Sequence, residues 1–119
     1  MLDRPVSTDA VILVSIDFNE SDYEESLYEL RQLVTTAGLN ITGTLEGKRS
    51  VPDAKLFIGS GKADDLKSML EAGETKLVAF NHDLSPSQQR NLERFLDGRV
   101  VDRTGLILDI FAQLSLIHI

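Results

Sequence analysis

Along the chain, short continuously apolar runs alternate with longer stretches in which apolar residues recur every three or four positions. Ala10 to Ile16 is the clearest run. It is rich in β-branched residues and nearly free of polar alternation, which predicts a strand covered on both faces, as in a parallel sheet. A helical spacing follows in Tyr23, Leu27, Leu30, Val34 and Ala37, opened by a Ser21/Glu24 capping box and stopped at Gly38. Leu39 to Glu46 predicts a second, weaker strand that runs into a loop at 47–53. The apolar piece Leu56-Phe57-Ile58 leads to the turn Gly59-Ser60-Gly61-Lys62. Beyond it Ala63, Leu66, Met69 and Leu70 mark the inner face of a helix terminated by Gly73. Leu77 to Phe80 predicts the next strand. Ser85 caps another helix, with Pro86 at its first position, Gln88 closing the box, Leu92, Phe95 and Leu96 inward, and Gly98 as the stop. Arg99 to Asp102 predicts the last strand, and Thr104 caps a further helix that begins with the apolar stretch Gly105 to Phe111.

Strands and helices alternating with short links predict an α/β fold: a mainly parallel four-stranded sheet flanked by helices, with the start of a further helix at the C-terminus. In such folds the carboxyl ends of the strands form the ligand crevice. Here those ends carry Asp17 and Asn19, then Asn81, His82 and Asp83, then Asp102, Arg103 and Thr104. A ligand or partner site there is one reading; polar turns required by the backbone are the other.

Length and composition narrow the class. The 119 residues suit one domain able to bury about two thirds of its surface. The absence of cysteine removes disulfides, thiolate metal sites and cysteine nucleophiles together. Met1 to Ala10 shows no targeting pattern, and no stretch reaches the roughly 20 apolar residues of a membrane span, so a cytoplasmic location is expected. The net charge of −7 is confined to the N-terminal part: residues 1–47 hold two basic and nine acidic groups, whereas 48–83 and 84–119 are each balanced. Any nucleic-acid contact is therefore expected from the later two thirds.

Two motifs that suggest chemistry fail on spacing. A phosphate loop would need glycine where Leu56 stands and Ser or Thr where Ala63 stands, and the third glycine of a dinucleotide fingerprint would fall on Asp64. His82-Asp83 offers an acid–base pair in composition only, since neighbours in an extended segment point to opposite faces. No catalytic, cofactor-binding or metal-ligating set is assigned. The basic side chains are better motivated. Arg90 and Arg94 lie one helical turn apart, Arg99 and Arg103 bracket the last strand, and with Lys62 they form the candidate RNA or anion contacts. The alternative is that Arg90 pairs with Glu93 and Arg94 with Asp97 on a solvated face.

Three stretches go beyond a generic α/β pattern: Phe57 to Lys62 with Leu66, Leu84 to Glu93, and Val101 to Ala112. Their order and spacing resemble the N-terminal domain of the HflX family of ribosome-associated GTPases. The resemblance implies a two-layer α/β domain followed by a helical hairpin and a P-loop GTPase domain, acting on the large ribosomal subunit to split or rescue stalled ribosomes. On that basis residues 1–103 correspond to the N-terminal α/β domain and 104–113 to the start of the hairpin. Residues 114–119, which depart from the family's basic helix, correspond to a non-native tail. The resemblance also implies that this stretch is a binding module without GTPase activity and without cofactors of its own. GTP and Mg2+ would belong to the absent GTPase domain, and the partners would be the large subunit and that domain. An anion- or ATP-sensing regulatory domain is the alternative.

Overall fold

The computed structural model describes residues 10–117, for 113–117 the backbone alone. The elements are β1 (Ala10–Asp17), α1 (Tyr23–Thr36), β2 (Asn40–Lys48), α2 (Ser60–Gly73), β3 (Leu77–Phe80), α3 (Pro86–Leu96), β4 (Arg99–Val101) and α4 (Arg103–Ile117). All pairings are parallel, in the order β2-β1-β3-β4. The apolar run of β1 lies centrally for the reason its composition suggested: every residue from Ala10 to Ile16 is buried.

Alternation along β1 sends its side chains into two cores. Ile12, Val14 and Ile16 join Val78, Phe80 and Val100 beneath α2 (Ala63, Leu66, Leu70) and α3 (Leu92, Leu96). Val11, Leu13 and Ala79 face α1 (Leu27, Leu30, Val34) and Leu106 of α4. The sheet is therefore sandwiched between two helical layers, which corrects the two-layer expectation. A strand as apolar as β1 needs cover on both faces.

The helix ends show where local signals held. Ser85 accepts from the Gln88 N–H while Gln88 accepts from the Ser85 N–H, the predicted reciprocal box. At α1 no such box forms. Asp22 occupies the cap position without a side-chain bond, because the chain reaches the helix from a tight turn with Asn19 at φ +68, closed by the Asn19 N–H on Asp17. The predicted stops at Gly73 and Gly98 are each displaced by one residue: the left-handed positions fall on Glu74 and Asp97. Gly98 serves a close approach instead. A Cβ there would lie 2.9 Å from the Lys76 carbonyl oxygen, which accepts the Arg99 N–H at 2.7 Å to start the β3–β4 ladder. The cap of α4 is also corrected, from Thr104 to Asp102, whose Oδ1 accepts the Gly105 N–H at 2.8 Å.

α4 buries Leu106 but leaves Ile107, Leu108 and Phe111 at 44, 61 and 67% exposure. Its backbone stays helical through Ile117, across the boundary at 113/114. Residues 118–119, the end of the stretch read as a tail, lie outside the described residues, as does the N-terminal segment 1–9.

Candidate functional site

The strand order changes direction between β1 and β3, the point at which doubly wound sheets open a ligand crevice. Here it is filled. His82, just past β3, turns its imidazole back so that Nε2 accepts the Ile16 N–H at 2.9 Å. Phe18 and Phe57 pack around it, with ring centroids 5.4 and 5.1 Å from the imidazole. Burial, assisted by the Arg103 charge and opposed by Asp83, lowers the His82 pKa to about 4. The ring is therefore neutral near pH 7, with Nε2 engaged as the acceptor of the Ile16 N–H.

A buried polar hub completes the strand ends. The Asn81 amide donates to Ser15 Oγ at 3.1 Å and Ser26 Oγ at 3.0 Å, and its oxygen accepts from Arg103. Arg103 also donates to the Ser26 carbonyl at 3.3 Å and pairs with Glu29 at 3.0 Å. Asp83 accepts from the Thr104 hydroxyl at 2.6 Å, while Asp102 Oδ2 accepts the Leu84 N–H at 3.0 Å. On the other flank the Tyr23 hydroxyl donates to Glu46 at 2.6 Å; burial, then that bond, raises its pKa to about 12. These groups satisfy one another. Among the described residues, no group of three or more His, Cys, Asp or Glu is arranged to hold a metal ion.

The five basic candidates do not form one patch. Arg103 points inward, its side chain 25% exposed and bonded to α1. Lys62 lies along β2: its ammonium donates to the Glu46 carbonyl at 2.9 Å, and its stem crosses Gly47, where a Cβ would meet Lys62 Cε at 2.8 Å. Arg99 opens β4, paired in register with Leu77 at the opposite end of the sheet. Arg90 and Arg94 share the exposed side of α3. The helix pairings weighed for them do not form: Glu93 accepts the Val100 N–H at 2.9 Å, and Asp97 lies 4.0 Å from Lys76.

Arg94 instead borders an open groove of about 600 Å³ between α3 and the turn before α2. Lys55 and Arg94 supply its cations, Asp53 its acid, Leu56 and Phe95 its apolar surface, and Asn91 and Ser60 its neutral polar groups. Lys55 and Asn91 carry no motif in the sequence. The only local signal is that Asn91, Arg94 and Phe95 recur at helical spacing beside a basic loop.

A sequence profile described as GTP-binding GTPase N-terminal matches residues 24–112. The GTPase HflX of Escherichia coli (strain K12) is 43% identical over 118 residues, covering 99% of this chain and 28% of that protein. The GTPase HflX of Alkalihalophilus pseudofirmus is 42% identical over 105 residues, covering 87% of this chain and 25% of that protein. The chain thus spans about a quarter of the length of these relatives. Among solved structures, a GTP-binding protein from Sulfolobus solfataricus in complex with GDP superposes with a TM-score of 0.63 at 27% identity, covering 88% of this chain and 30% of that one. Among the described residues, no helix is long and apolar enough to cross a membrane.

Proposed function

Because this chain belongs to the family of GTP-binding GTPase N-terminal domains represented by HflX, we propose that it is the non-catalytic, ribosome-facing module of an HflX-type GTPase. The observation that carries the reading is the family match over residues 24–112, most of the described chain. The closed crevice between β1 and β3 is consistent with it. Phe18 and Phe57 pack against His82 at the strand ends, where doubly wound sheets open a ligand crevice, and Leu56 and Ala63 stand where a phosphate loop needs glycine and hydroxyl.

In this reading GTP and Mg2+ bind in the part of the relatives that this chain does not span, and the module makes no bond itself. It acts in the cytoplasm by contacting the large ribosomal subunit, during the splitting or rescue of stalled ribosomes. Of the basic residues, we assign RNA contact to Arg90 and Arg94, whose exposure on α3 supports that assignment. Lys62 and Arg103, already bonded within the domain, are placed to hold it together.

Co-sedimentation with isolated large subunits tests this. The chain should pellet with them, pelleting should fall as salt rises, and GTP turnover should be absent. GTP hydrolysis by this chain that disappears in Lys62→Ala would overturn the assignment. Calorimetric ATP binding that disappears in Arg103→Ala would replace it with a nucleotide-sensing role at the strand ends.

A further inference from the structure

We propose that the groove between α3 and the 53–58 turn binds one unpaired nucleotide of an RNA strand, its phosphate held by Arg94 and Lys55 and its base resting on Leu56 and Phe95. This rests on the ribosome-facing reading and assigns it a specific contact.

The first argument is charge. No carboxylate among the described residues lies within ion-pair distance of Arg94 or Lys55, although acids are close by in sequence. Those acids are committed elsewhere. The Asp53 carboxylate accepts the Lys55 and Leu56 N–H groups at 3.1 and 2.8 Å, and Glu93 and Asp97 are drawn to β4 and Lys76. The groove thus holds two cations against one acid, Asp53, whose Oδ2 is bonded to the loop backbone, and keeps a net positive charge. An arginine and a lysine flanking an opening are suited to a phosphate.

The second argument is shape and rigidity. A volume of about 600 Å³ lies within the range of small-ligand sites. The turn that carries Lys55 is fastened to α3 at two points: Gln88 Nε2 donates to the Asp53 carbonyl at 2.9 Å, and Asn91 Nδ2 to the Lys55 carbonyl at 3.2 Å. Lys67, with its ammonium 5.2 Å from the Phe95 ring centroid, helps to hold that ring. The walls therefore need little ordering on binding. Among the described residues Asn91 Oδ1 accepts no hydrogen bond, which leaves it as an acceptor for a base edge.

An apolar aromatic surface beside paired cations favours a nucleotide over an acidic peptide, which has no use for Phe95. It favours a single strand over a duplex, whose bases are not free to stack.

The test is fluorescence anisotropy of the 119-residue chain with a labelled oligouridine. Comparison probes are a duplex RNA of equal length, a glutamate-rich peptide and free uridine monophosphate. The single strand should bind best. Arg94→Ala, an exposed change that spares the core, should weaken binding roughly tenfold and reduce the salt slope by about 0.7; Arg94→Lys should restore the slope. Phe95→Leu should weaken binding with the slope unchanged. Equal binding by wild type and Arg94→Ala, or equal binding of duplex, peptide or mononucleotide, would overturn the proposal. Pelleting with large subunits separates the two readings. If wild type pellets but no probe distinguishes the variants, the groove assignment fails alone; if wild type does not pellet, the ribosomal reading fails first.

Discussion

His82 completes for Ile16 a hydrogen bond that β3 is too short to provide. The β1–β3 register ends at the pair Val14 and Phe80, and the next bond, from the Asn81 N–H, reaches the Val14 carbonyl. The Ile16 N–H points into the same gap and finds the His82 imidazole at 2.9 Å in place of a backbone carbonyl. This bond joins two residues 66 positions apart and closes the crevice at the centre of the sheet. It requires a neutral ring, because a protonated imidazole has no lone pair to offer.

A pH dependence follows from that requirement. With a folded pKa near 4 against an ordinary value of 6.5, the unfolded chain takes up the proton first as pH falls. The stability His82 supports is fully present above about pH 6.5, declines below it, and is lost once pH has fallen through about 4. Urea midpoints across that interval should fall more steeply for wild type than for His82→Gln. Parallel profiles would show that another group governs acid sensitivity.

Capping of α4 separates Asp102 from Thr104. Asp102→Ala removes the acceptors of both the Gly105 and Leu84 N–H groups, and its cost should be about 1–2 kcal/mol. Thr104→Ala loses only an exposed bond to Asp83 and should cost less than about 1 kcal/mol. Chemical denaturation of the two variants gives the order directly, and a reversed order would return the cap to Thr104.

Arg103 should couple more strongly to Asn81 than to Glu29. Arg103→Met leaves the buried Asn81 oxygen without its donor, at about 1–3 kcal/mol. Its pair with Glu29, which is largely exposed, should contribute no more than about 1 kcal/mol. Double-mutant cycles with Asn81→Leu and Glu29→Gln measure both couplings. A larger Glu29 coupling would mean that the ion pair, and not the buried amide, anchors α4.

Two glycines should respond in opposite directions. Gly98→Ala forces a Cβ within 2.9 Å of the Lys76 carbonyl, a backbone atom that cannot give way, and should destabilise by about 1–3 kcal/mol. At Gly61, in the first turn of α2, a Cβ meets nothing within 4 Å. Gly61→Ala should be neutral or stabilise by up to about 1 kcal/mol. Thermal melts of the two variants check the contrast, and a destabilised Gly61→Ala would show that the turn before α2 needs glycine for its backbone.

Legibility in the sequence tracked the range of the interactions. The Ser85–Gln88 box was readable because all its atoms lie within four residues and Pro86 presets the first turn. Ser21 and Glu24 carry the same spacing, yet the turn through Asn19 places the chain so that Asp22 becomes the cap. Gly98 announced a helix end and was displaced by one position, since its lack of a side chain answers to Lys76, 22 residues earlier, and not to its own helix. The arginines showed the same limit. Their number and helical spacing were visible, but Arg103 turned inward to Asn81 and Glu29, while Arg94 joined Lys55 from a loop that carries no recognisable motif.

Local order alone determined that strands and helices alternate, that β1 is a strand covered on both faces, and that the Gly59–Lys62 turn is not a phosphate loop. Each of these depends on periodicity or on residues adjacent in the chain. Only the tertiary structure decided the strand order, how Phe18, Phe57 and His82 pack together at the ends of β1 and β3, and which cations lack an ion-pair partner among the described residues. Those outcomes depend on which distant groups come within hydrogen-bonding or ion-pairing reach, and no spacing rule records that distance before the chain has folded.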